Sequence, residues 1–128
     1  MSQATLLMRA GAAFGAVGVI AGAFGAHGLE GQVSAARLET FATAASYHLW
    51  HSLALLLTGV VACRQPRTGL LTWAGLCFAV GVVLFSGSLY ALVLLDAPML
   101  GVITPLGGVA LIIGWLLLVF GIGAESKT

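Results

Sequence analysis

Charge is what this sequence has least of: nine of its 128 residues are formally charged, five basic and four acidic. A soluble domain carries roughly 25% charged residues, and at 7% this chain could not cover a water-facing surface. Its net charge of +1 excludes a basic nucleic-acid footprint, which needs clustered Lys and Arg. Cysteine is scarce as well. Cys63 and Cys77 lack metal-ligand spacing and have no disulfide framework around them, so neither supports a redox role. Cys77 reads as a small apolar packing residue and Cys63 as an interfacial one. No catalytic, nucleotide-binding or well-formed metal motif occurs, and no cofactor is expected.

What is present is apolar: 60% of the residues are hydrophobic and the mean hydropathy is +1.10. The apolar residues gather into four stretches, approximately 5–26, 41–62, 70–95 and 99–123. About 20 such residues match the hydrocarbon thickness of a bilayer. The expected fold is therefore an all-α membrane protein, a single domain of four antiparallel transmembrane helices joined by short loops. The first stretch is longer than a signal-peptide apolar region and reads as a retained span. Residues 27–40 form the only long polar connection, and Ser34 is placed to cap a second helix that projects above the membrane. Pro66 and Gly69 break the next link, and Asp96-Ala-Pro98 makes a tight hairpin. Arg9, Arg64, Arg67 and Lys127 fall on one side, with only Arg37 on the other, beside Glu30, Glu39 and Asp96. The positive-inside rule then puts both termini in the cytoplasm and the 27–40 loop outside, in the cell's inner (plasma) membrane.

Glycine supplies the packing. Gly11, Gly15, Gly18, Gly22 and Gly25 fall on one narrow face of the first helix, and Gly107, Gly114 and Gly121 recur at heptad spacing on the fourth. Stripes without Cβ let a second backbone approach closely, and transmembrane association relies on such contact. The stripes serve either packing within one chain or a homo-oligomer interface.

Polar residues inside spans are costly and functional by default. At about 100° per residue, Thr40, Tyr47, His51 and Thr58 share an arc of the second helix, with His48 flanking it. Ser86, Ser88 and Tyr90 on the third span and Thr104 on the fourth lie at a similar depth, with His27 closing the first. Ser86 and Tyr90 share a face, whereas Ser88 points nearly opposite, and Pro105 removes a backbone donor near Thr104. The polar set thus converges on the half of the bundle nearer the 27–40 loop. His48 and His51 are spaced to face one ion, with His27 as a third ligand, but zinc and its relatives want three or four ligands and supporting groups. Interhelical hydrogen bonding is the competing reading. Trp73 and Tyr90 suit the membrane boundaries; Tyr47 and Trp50 look deeper and suited to bundle packing or hydrogen bonding, and Trp115 reads as core or lipid-facing.

Four ordered motifs carry a family resemblance: Gly22-Ala-Phe-Gly-Ala-His-Gly28, Tyr47-His-Leu-Trp-His51 followed by Ala54-Leu55, Phe85-Ser-Gly-Ser-Leu-Tyr90, and Thr104-Pro-Leu-Gly-Gly108. Together they resemble the domain-of-unknown-function 423 family, the YgdD/YwdK type of small integral membrane protein. The resemblance implies a four-helix membrane protein without an established activity. It also implies that His27 and His51 are shared histidines and that glutamine often replaces His48, which counts against a paired metal site. The shared polar set is then His27, Tyr47, His51, Ser86, Ser88, Tyr90 and Thr104.

Two functions fit. The first is a non-enzymatic bundle that supports membrane function or binds a lipid or a membrane-protein partner, as a monomer or a homo-oligomer. The second is small-ligand, proton, metal or haem binding in the polar cluster. An intramembrane enzyme would need an activated nucleophile or an acid/base pair, and Asp96, the only acidic residue near a span, is expected to cap the hairpin. A transporter would need repeated halves with broken helices, and no repeat is evident.

Overall fold

The computed structural model describes residues 1–65 and 69–124. Pro66, Arg67 and Lys127, which entered the loop and orientation arguments, lie outside the described residues. Helix α1 (Gln3–Ala23) continues through a π turn at Phe24–Gly28. Helix α2 spans Ala35–Arg64 and α3 spans Gly69–Leu94. A 3₁₀ turn at Pro98–Val102 then leads into α4 (Thr104–Gly121). There is no strand among the described residues. The four spans contain 26, 30, 26 and 24 residues, each long and apolar enough to cross a bilayer.

The helix ends differ from the apolar stretches because caps, not hydropathy, set them. Ser2 caps α1 by accepting from the Thr5 amide at 3.1 Å. Ser34 caps α2 by accepting from the Arg37 amide at 3.3 Å, so α2 starts at residue 35, six residues before the apolar stretch that begins at 41. The last stretch is not one helix from 99 to 123. Pro105 cannot donate to the carbonyl of Gly101, and its ring crowds that turn. The chain therefore runs as a 3₁₀ turn to Val102 and restarts as α4 at Thr104.

Packing follows chain order. α1 lies on α2, α2 on α3 and α3 on α4, with a minor α1–α3 contact. The main apolar core gathers Leu7, Leu55, Leu71, Phe78, Leu111 and Leu118; a smaller one, Leu29, Phe41 and Val93, sits under the 29–34 connection. Arg9 is exposed on α1 and reaches back toward the chain start, its guanidinium 3.4 Å from the Met1 sulfur. At the opposite end Asp96, with a left-handed backbone (φ 49°), accepts from Arg37 at 3.2 Å. Arg37 also donates to the Leu92 carbonyl at 3.4 Å, tying α2 to the end of α3. Asp96 thus joins two helices, beyond the hairpin-capping role read from the sequence.

All five glycines of the α1 stripe face α2, but they are not equivalent. A Cβ on Gly11 would lie 2.5 Å from the Leu56 amide nitrogen, one on Gly18 2.8 Å from the Leu49 side chain, and one on Gly25 2.5 Å from the Phe41 ring. At Gly15 and Gly22 the nearest atoms would be at 3.9 and 4.0 Å, ordinary contact. On α4, a Cβ at Gly107 would collide with the Phe85 backbone, one at Gly114 would lie 2.8 Å from the Phe78 ring, and one at Gly121 2.9 Å from Leu71. Both stripes therefore pack within the chain. Gly11→Ala should destabilise the protein on the order of 1–3 kcal/mol through overpacking. Gly22→Ala, in the same stripe, should stay within about 0.5 kcal/mol of wild type. Thermal unfolding of both variants in one detergent checks the contrast.

Candidate functional site: a polar network between the helices

Most of the polar side chains brought into the bundle have a specific partner. On α3, Ser86 donates to the Ala44 carbonyl of α2 at 2.7 Å. Ser88, on the other side of the helix, donates to the Phe85 carbonyl at 3.0 Å and pairs with the Thr104 hydroxyl of α4 at 2.6 Å. Tyr90 pairs through its hydroxyl with His48 Nδ1 at 2.9 Å. On α2, Ser52 and Thr58 bond back to the carbonyls of His48 and Ala54 at 2.6 and 2.7 Å, the local solution available to hydroxyls in a helix. Among the described residues, no buried side-chain nitrogen or oxygen lacks a partner.

His51 shows how tightly such a group is committed. Its Nδ1 lies 2.7 Å from the Tyr47 carbonyl, and a carbonyl only accepts, so Nδ1 carries the proton. Nε2 then presents its lone pair, which accepts from Trp115 Nε1 of α4 at 3.0 Å. Both ring nitrogens are used, and the two partners together select one neutral tautomer. Phe78 packs against both rings, with centroids 5.9 Å from His51 and 5.1 Å from Trp115.

His48 and His51 diverge instead of facing one ion. His48 sits edge-on to Phe14 of α1 and bonds toward α3, whereas His51 bonds toward α4. His27 is exposed in the π turn, away from both. Among the described residues no three His, Cys, Asp or Glu side chains form a metal-holding group. His27, His48 and His51 do not come together as one ligand set in this arrangement, and the Nε2 lone pair of His51 accepts from Trp115. Tyr47 stacks on Phe85 with centroids 4.5 Å apart and makes its contribution through ring contact and its backbone carbonyl. Trp50, placed deep in the bundle by sequence reasoning, is 58% exposed. Both cysteines are free, Cys63 exposed and Cys77 half-buried.

The residue that sequence reasoning missed is Trp115. Its mid-span position gave no sign of polar engagement, and only the fold shows its indole N–H meeting His51 across α3. The network therefore extends from Ser88 and Thr104 near the 3₁₀ turn to His51 and Trp115 on the core side of Phe78. It links α2, α3 and α4. Helix α1 joins by glycine contact and, at its start, by the exposed bond from Thr72 to Gln3 at 3.1 Å.

Four membrane-length helices with an internally satisfied polar network define a multi-pass α-helical membrane protein. The family model described as "Protein of unknown function (DUF423)" matches residues 21–108, and the chain belongs to that family. The match begins just before the first of the four sequence motifs and ends with the last. The chain is 47% identical to UPF0382 membrane protein YwdK of Bacillus subtilis (strain 168) over 98 residues, 77% of this chain and 80% of that protein. It is equally similar, 47% over 98 residues, to UPF0382 membrane protein SAB0533 of Staphylococcus aureus (strain bovine RF122 / ET3-1), covering 77% and 79%. To UPF0382 membrane protein SSP2132 of Staphylococcus saprophyticus it is 45% identical over 100 residues, covering 78% and 82%. No solved structure matches the chain. The relatives are bacterial membrane proteins of an uncharacterised family, none with an enzymatic name, and the four apolar helices fit a multi-pass plasma-membrane protein.

Interhelical hydrogen bonds in membranes contribute about 0.6 kcal/mol on average and under about 2 kcal/mol at most. A double-mutant cycle of His51→Phe and Trp115→Phe should give a coupling energy in that range. Additive effects would mean that the contact between the two rings contributes nothing beyond packing.

Proposed function

We propose that this protein is a non-catalytic membrane bundle whose polar interior fastens helices together and whose outer surface meets lipid or a protein partner. One observation carries the reading: among the described residues no fully buried side-chain nitrogen or oxygen is without a partner in the chain. A catalytic or ligand-binding centre needs at least one group left over for its substrate. Here the imidazole of His51, the most reactive candidate, has both nitrogens engaged. The outward faces of α1 and α4 are consistent with this division of labour. Val17, Val19 and Ile20 on α1, and Ile112, Leu116 and Val119 on α4, are all more than half exposed, as residues solvated by acyl chains would be. The cation balance supports placing the end with Arg9 and Arg64 in the cytoplasm.

Native mass spectrometry with metal analysis of gently purified protein tests the reading, wild type beside His51→Ala. The bare chain mass, without stoichiometric metal or small molecule, is expected for both. The variant should be less stable by about 1–3 kcal/mol, since it leaves the Trp115 N–H without its acceptor and opens a cavity. A stoichiometric adduct present in the wild type and lost from a folded His51→Ala would overturn it in favour of a binding centre.

A further inference from the structure

At the end of the bundle that carries the 29–34 connection, a groove of about 430 Å³ opens along the α1–α2 seam. Its walls are apolar: Gly22 on α1 and Phe41, Ala42 and Ala45 on α2. Its rim carries two carboxylates, Glu30 from the connection and Glu39 from the projecting turn of α2. From Glu39 to Ala45 the groove descends six residues along α2, about 9 Å at the helical rise. It therefore runs from the polar connection down along the apolar part of α2. It shares no residue with the polar network.

The charge at this rim is uncompensated. Arg37, the only cation of the 27–40 connection and its flanking turn, faces away and is engaged by Asp96 and the Leu92 carbonyl. Neither Glu30 nor Glu39 has an ion-pair partner among the described residues. Two carboxylates above an apolar cleft, at the edge of a low-dielectric medium, draw positive charge to the mouth and apolar surface to the walls. We propose that this groove binds a lipophilic cation, a single ammonium-type charge carried directly on an apolar body. A phospholipid fits less well, because its phosphate lies between the head amine and the acyl chains and would be set against the carboxylates. A lysine from a partner helix would leave most of the volume empty, while about 300–1,000 Å³ is the usual size of a small-molecule site.

Equilibrium dialysis of benzyltriethylammonium against the full chain in maltoside micelles tests the proposal, with empty micelles as the partition baseline. Saturable uptake of one cation per chain is expected, and the carbon isostere of the same shape, which is neutral, should show partition only. The exposed pair Glu30→Gln/Glu39→Gln should fold as wild type by circular dichroism and bind about tenfold more weakly, two surface ion contacts being lost. Ala42→Phe keeps both carboxylates but fills the cleft, and should also abolish saturable uptake. The proposal is overturned by uptake no greater than that of empty micelles, by equal binding of the neutral isostere, or by an unchanged affinity in the double variant. Normal binding by a folded Ala42→Phe would overturn it too, since surface charge alone would then account for the uptake.

Discussion

The backbone of α1 rests against α2 at Gly11 so closely that a single methyl group would sit 2.5 Å from the Leu56 amide nitrogen. Much of the remaining architecture depends on contacts of this kind. In a hydrocarbon solvent apolar side chains gain nothing by leaving lipid for protein, so helices associate through packing itself. Gly59 on α2 answers the seam, lying against the Ala4 carbonyl and Met8 of α1. With the α1–α2 pair fixed at this separation, α2 presents its other faces, and with them His48 and His51, to α3 and α4. The α3–α4 seam repeats the device with Gly107, Gly114 and Gly121 spaced by sevens.

The polar network is the second tier. Bonds of modest individual strength run from α2 to α3, from α3 to α4 and, through His51 and Trp115, from α2 to α4. Their value lies in direction more than in energy. Glycine seams allow sliding and rotation, whereas a hydroxyl that must meet one particular carbonyl fixes the register. Ser86 and Ser88, two residues apart, point to α2 and α4 respectively, so a rotation of α3 would break both at once. Arg37 and Asp96 add a clamp at the membrane edge, where water weakens it.

Much of this was legible in the sequence. Hydropathy marked four spans because a bilayer imposes a length on any crossing segment, and the glycine stripes and intramembrane hydroxyls stood out against an aliphatic background. The opposed directions of Ser86 and Ser88 follow from helical geometry alone. What the sequence withheld depends on tertiary placement. The stripe of five glycines gave no sign that Gly15 and Gly22 have room to spare, because that is set by Ser52 and Ala45 on the other helix. The histidine pair left an ion site open as the lesser alternative to hydrogen bonding, since spacing along one helix does not show which neighbour each ring meets. Trp115 was invisible as a polar participant, its partner being 64 residues away in the chain.

The connectivity of the bundle bears on how it is built. Each helix after the first packs on the one before it, α2 on α1, α3 on α2 and α4 on α3. Synthesis delivers the chain from its N-terminus, so each helix after the first finds a packing partner already made when it arrives. The His51–Trp115 bond is the exception that completes the scheme. Trp115 is on the last helix to arrive and His51 on the second, so their bond closes only when all four helices have assembled, serving as the latch of a structure otherwise laid down in order.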